Sequence, residues 1–114
     1  MNNIYITTPI YYVNDIPHVG HAYTSIACDA LSRFFRLKGQ RVFFLTGTDE
    51  HGLKIQQVTK DKDIEPQDFV DQMSANFQNL TKSLNLSNDD FIRTTSKRHT
   101  TSVRDFWSRL QNNN

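Results

Sequence analysis

The segment His18-Val19-Gly20-His21 sets two imidazoles three residues apart around a glycine. At the start of a helix, two rings at that spacing can point the same way, toward anionic oxygens. The first turn of a helix also offers unpaired N–H groups and a positive dipole end, which suits phosphate. Gly20 lets a ligand come close to the backbone. Two surface histidines that merely open a helix would have the same spelling. A second polar segment, Thr46-Gly-Thr-Asp-Glu-His-Gly52, follows an apolar run. Asp49 within it could hold an ammonium group, or it could cap the backbone ahead of His51. Cys28 is the single cysteine, which excludes an internal disulfide and a cysteine-only zinc site within the chain. It reads as a small packing residue rather than a nucleophile. Lys97-Arg98-His99 reads as a solvated helix start before a nucleic-acid contact, and Trp107 as core before a base-stacking platform.

These residues need elements to hold them. Asn3 to Thr8 alternate in the manner of a strand, which Pro9 stops. Pro9 to Pro17 has no helical period and reads as a loop. From Gly20, the residues Ala22, Tyr23, Ile26, Ala27, Ala30, Leu31, Phe34 and Phe35 recur three and four apart, giving a helix with one apolar face. Arg33, Arg36 and Lys38 suit its C-terminal dipole, and Gly39 a left-handed cap. Val42 to Thr46 is a short apolar run that fits a strand buried on both faces of a parallel sheet. Strand, loop, helix and strand assemble most simply as a βαβ unit. A weak helix over Leu53–Asp61 and a charged turn to Glu65 come next. Pro66 then opens a helix striped by Phe69, Val70, Met73, Phe77, Leu80 and Leu84. Phe91–Thr95 reads as a short third strand. Ser96 caps a last helix with Val103, Phe106, Trp107 and Leu110 on one face.

The whole of 114 residues fits one domain with a real core. A net charge of +1 demands no electrostatic partner. The N-terminus lacks a secretory pattern, and no apolar stretch approaches the ~20 residues of a membrane span, so the default setting is cytoplasmic.

His18-Val-Gly-His21 resembles the HIGH signature of class I aminoacyl-tRNA synthetases and related nucleotidyltransferases. Its flanks, Thr7-Thr-Pro-Ile-Tyr-Tyr-Val-Asn14 and Ala22-Tyr-Thr24, are similar to the methionyl enzymes. So are Phe43-Phe-Leu-Thr-Gly-Thr-Asp-Glu-His-Gly52 and Asp90-Phe-Ile-Arg-Thr-Thr95. The resemblance covers essentially the whole chain. It implies an α/β fold: the N-terminal part of a Rossmann-like parallel sheet with flanking helices, incomplete, of strand order 3-2-1-4-5. It implies that His18, Gly20 and His21 bind ATP, with His18 and His21 catalytic, and that Ile10, Tyr12 and Asp49 belong to a methionine site. Asp49 would hold the substrate ammonium; Ile10 and Tyr12 would line the thioether. ATP with Mg2+ is the implied co-substrate, and the methionine tRNA the implied acceptor.

The family's lysine loop, zinc insertion, fourth strand and anticodon-binding helices find no match in residues 1–114. The expectation is therefore a single partial catalytic domain with half a ligand crevice, a bare edge on its first strand and little activity of its own. Two other readings stay open: a small adenylyltransferase using the same signature, against which Thr46–Gly52 argues, and an inactive remnant that at most holds ligand.

Overall fold

The computed structural model describes residues 3–113. Strands β1 (Asn3–Thr7) and β2 (Tyr11–Tyr12) precede helix α1 (Val19–Leu37). Strand β3 (Arg41–Asp49), helices α2 (Leu53–Lys62) and α3 (Pro66–Ser83), strand β4 (Asp90–Arg93) and helix α4 (Lys97–Asn112) follow. All pairings are parallel. β1 lies against the first half of β3, from Asn3↔Arg41 to Thr7↔Leu45. β4 lies on the other edge, from Leu45↔Asp90 to Thr48↔Arg93. The order β4-β3-β1 is that expected for the first three strands of a 3-2-1-4-5 sheet. Among the described elements, the outer edge of β1 carries no partner strand.

Two strands depart from the sequence reading. The segment expected to be a loop from Pro9 to Pro17 contains β2, which pairs Tyr11↔Thr48 and Tyr12↔Asp49. β3 in turn runs past Thr46 to Asp49. The cause is shared: with β2 on one edge and β4 on the other, the polar residues Thr46–Asp49 have ladder partners that local pattern cannot show.

Gly47 makes the β4 side possible. A Cβ there would lie 2.1 Å from the Ile92 carbonyl oxygen and 2.6 Å from Ile92 Cγ2. Backbone, not a flexible side chain, blocks the space. Gly47→Ala is expected to lower stability by about 1–3 kcal/mol, as overpacking does, seen as a lower urea midpoint by circular dichroism.

α1 also sits otherwise than its periodicity suggests. Its buried residues are Ser25, Asp29 and Ser32, whereas Tyr23 is 77% exposed and Ile26, Leu31 and Phe34 about half exposed. The inward face is the polar one because it has specific partners. Asp29 Oδ1 accepts from the backbone N–H and the hydroxyl of Ser87, both at 2.6 Å. Arg36 donates to the Ser87 carbonyl and hydroxyl and to Asp89. Asp89 in turn accepts from the Phe44 N–H at 2.6 Å. α1 is thus fastened by hydrogen bonds to the chain entering β4. Burial tends to raise the Asp29 pKa, but the hydrogen bonds from Ser87 and Arg33 outweigh it and hold the carboxyl below its usual range.

The apolar core lies where β2, α2 and α3 meet: Tyr11, Val13, Ile55, Phe69, Val70, Met73 and Phe77. α3 follows its expected stripe. α1 and α3 lie side by side on one face of the sheet, with the His21 and Phe77 rings 5.0 Å apart. The other face is not covered among the described residues: Tyr5 and Phe43 stack on each other there and stay about half exposed. The run Val42–Thr46 is accordingly buried on one side, at Phe44 and Thr46, and not on both. Helix α4 buries none of its residues, and Trp107, expected in the core, is 62% exposed. Ser96 holds the N-cap position of α4, but its hydroxyl donates back to the Arg93 carbonyl and caps nothing. Arg98 is engaged by Asp90 and the Phe91 carbonyl. Gly39 takes the expected left-handed conformation, φ 76°. No helix of the described residues is long and apolar enough to cross a membrane.

Candidate active site

The two histidines close the first turn of α1 on each other. His18 is the N-cap, extended at φ −128° and ψ 178°, and its Nδ1 accepts from the Gly20 N–H at 3.1 Å. His21, at N3, accepts at Nδ1 from the His18 N–H, 3.0 Å away. This is a capping box in which imidazoles replace the usual hydroxyl and carboxylate. Both Nδ1 atoms accept, so in the neutral rings both protons sit on Nε2. The ring centroids are 3.9 Å apart. His21 is further held by the Tyr11 ring at 4.8 Å, and the Tyr11 hydroxyl bonds Ser25 Oγ at 2.9 Å. Burial, and then the neighbouring His18, push the His21 pKa below its ordinary value. Gly20 leaves room for the ring over it: a Cβ there would meet His18 Cε1 at 2.9 Å, so the ring would have to shift.

His18 and His21 line an open cleft of about 400 Å3 together with Ile10, Tyr12 and Asp15. Four of the five side chains singled out from sequence therefore share one concavity. Asp49 does not line it. It ends β3 as the register partner of Tyr12, and its Oδ1 lies 3.5 Å from the His51 N–H. Tyr12 also lines a neighbouring cleft of about 300 Å3 with Asn14, His51 and Leu53, which Asp49 does not line either.

Beneath the end of β3 lies a polar cluster that sequence reasoning missed. The Glu50 side chain is fully buried. Its carboxylate accepts from Arg93 Nε at 2.7 Å and Nη2 at 3.0 Å, from Thr48 Oγ1 at 2.8 Å, and from the Thr95 hydroxyl. Arg93 also reaches Asp71 on α3. Burial acts to raise the Glu50 pKa, and the hydrogen bonds from Arg93, Thr95 and Thr48 carry it instead below the usual range. Thr94 completes the cluster: Glu50 N–H donates to its Oγ1 at 2.8 Å, and His51 Nδ1 lies 3.1 Å from the same oxygen. A lone Glu-His pair after a strand gives no hint of a partner 43 residues away. The described residues gather no cluster of three or more His, Cys, Asp or Glu able to hold a metal ion.

The family of tRNA synthetases class I (M) matches residues 4–114. The chain belongs to that family. Among class I (M) synthetases similar to it, the methionine–tRNA ligase of Rickettsia bellii is 58% identical over 112 residues, 98% of this chain and 22% of that protein. The methionine–tRNA ligase of Listeria monocytogenes is 55% identical over 109 residues, 96% of this chain and 16% of that protein. A Mycobacterium tuberculosis methionyl-tRNA synthetase solved in complex with methionyl-adenylate superimposes with a TM-score of 0.93 at 45% identity. That match covers 97% of this chain and 22% of the other. The chain thus spans about a fifth of the length of the class I (M) synthetases of Rickettsia and Mycobacterium that it resembles.

Proposed function

We propose that this chain is the ATP- and methionine-facing front part of a methionine–tRNA ligase catalytic domain. The observation that carries the reading is the histidine capping box, whose Nε2 edges are left free at an exposed helix start in a cleft shared with Ile10 and Tyr12. The similar Mycobacterium enzyme holds methionyl-adenylate on the same fold. Methionine carboxylate attacks the α-phosphorus of ATP, and pyrophosphate leaves. A carboxylate with a pKa of about 3.5 is already ionised at neutral pH, so no general base is required. What remains is alignment and the stabilisation of growing charge on the phosphates. His18 and His21 supply N–H donors for that charge, and the first turn of α1 supplies dipole. Tyr12 and Ile10 form apolar surface for the thioether, and Asp49 beside Tyr12 takes the ammonium. Mg2+ arrives with ATP as part of the substrate. The adenylate is then passed to the methionine tRNA, in a cytoplasmic setting.

The fourth strand, the lysine loop and the zinc insertion of the family belong, on this reading, to sequence outside residues 1–114. A chimera tests the assignment: these 114 residues replace the matching segment of the Rickettsia bellii enzyme, and methionine-dependent exchange of pyrophosphate into ATP is measured. The chimera is expected to exchange with methionine, and residues 1–114 alone to run at least roughly 10^3-fold slower, since on this reading they supply only the histidine side of the phosphate clamp. A folded but inert chimera would overturn the assignment. Full exchange by the chain alone would overturn the partial-crevice reading.

A further inference from the structure

Thr94 belongs to the Asp90–Thr95 segment but has had no role assigned so far, and its hydroxyl sits between the backbone of Glu50 and the ring of His51. The Glu50 N–H can only donate, so Thr94 Oγ1 accepts from it at 2.8 Å. The hydroxyl proton then has His51 Nδ1, 3.1 Å away, as its acceptor among the described residues. Thr94 is buried at 7% exposure, whereas His51 is exposed and lines the cleft that also holds Tyr12 and Asn14. The Nδ1 edge is tied inward to Thr94, and the exposed ring borders both the Tyr12 cleft and a second one shared with Glu50 and Pro66.

We infer that Thr94 is a positioning residue that fixes His51 in a single tautomer, with Nδ1 bare and Nε2–H held as a donor toward the Tyr12 cleft. The chemistry this suits is an acceptor oxygen of the substrate, a carboxylate or a ribose hydroxyl, next to the ammonium partner at Asp49. The buried Glu50–Arg93 pair stiffens the same support, because Glu50 and Thr94 are joined through the Glu50 backbone. The inference takes the cleft from the functional reading above. Its test needs no ligand and no catalysis, so the two can fail separately.

The experiment is nitrogen-15 spectroscopy of the imidazoles in the 114-residue chain, recorded about two pH units above the ordinary histidine pKa of about 6.5. His51 is expected as one tautomer, protonated at Nε2, with a Thr94 hydroxyl proton slow enough in exchange to be seen. Thr94→Ser is expected to keep that pattern. Thr94→Val is expected to let the ring average between tautomers. Should the valine variant fail to fold, the parent and serine spectra decide alone. A parent spectrum with protonated Nδ1, or with ring nitrogens averaged as in a free imidazole, overturns the inference, as does a valine variant that folds and keeps the single tautomer.

Discussion

In the Rickettsia chimera, His21→Gln and His18→Asn are each expected to cut pyrophosphate exchange by about 10^2–10^3-fold, the usual cost of removing one donor from a developing charge. Stability is expected to move by less than about 1 kcal/mol, because both replacements keep the helix start. Asparagine is a strong N-cap, and glutamine at N3 reaches back to the N-cap N–H in an ordinary capping box. What is lost is the Nε2–H that each ring turns outward. His18→Ala should differ from His18→Asn, since it also removes the cap, at about 0.5–2 kcal/mol. Equal exchange in the asparagine variant and the parent would remove His18 from the chemistry. The pH dependence follows from the same bonds. The pKa of His21 is depressed in the fold, so the neutral ring is favoured there. Its contribution to stability is complete above the unfolded value of about 6.5, and is lost as pH falls through the lowered folded value. Protonation takes the lone pair from Nδ1, so α1 is expected to fray from its first turn in acid.

The largest loss of stability is expected from Arg93→Met, about 3–5 kcal/mol, because it strands a buried carboxylate without its cation. Glu50 is fully buried and Arg93 only 26% exposed, so little solvent intervenes. Against a total stability of about 5–15 kcal/mol for a domain, such a loss brings the chain near unfolding at room temperature. Removing Asp71 instead, whose side chain is half exposed, should cost under about 1 kcal/mol. The sign of the pH dependence separates the two variants. In the parent the Glu50 pKa is depressed, so its contribution is present above the unfolded value of about 4.3 and is lost as pH falls through the folded one. Without Arg93, burial dominates and the pKa rises. The deficit of Arg93→Met against the parent should then shrink as pH drops. Denaturant midpoints measured from neutral pH to about the unfolded Glu pKa check this. A deficit that stays constant with pH would show that Arg93 acts through packing alone.

Sequence pattern was a sound guide to much of the scaffold and a poor one to its orientation. Element order apart from β2, the parallel pairing and the stripe of α3 are legible locally; the stripe is so because Phe69, Val70, Met73 and Phe77 face an apolar core. The same rule misplaced α1. Tyr23, Ile26 and Phe34 have the right spacing for a buried face, but the helix is anchored by Asp29 and Arg36 to a segment more than 50 residues away. Hydrogen-bond partners so distant leave no periodic trace. Trp107 and the α4 stripe fail likewise: apolar spacing shows that a face exists, not that these residues cover it. At the site, the histidine pair was legible because its two members lie within one turn. Glu50, Arg93 and Thr94 were not, because their meeting depends on β4 lying beside β3. The resemblance groups Asp49 with Tyr12, and the two are register partners, but the histidine cleft itself does not include Asp49.

The mutual closure of the α1 start by His18 and His21 bears on how such a gene can decay. Reagents that double as structural pins answer to two demands, because a replacement that spares the chemistry must also close the turn. The replacements that keep the turn closed form a short list: asparagine, aspartate, serine, threonine or glycine in the first position, and glutamine or glutamate in the second. A copy spelling Asn-x-Gly-Gln at this turn would keep its helix start while holding neither imidazole donor.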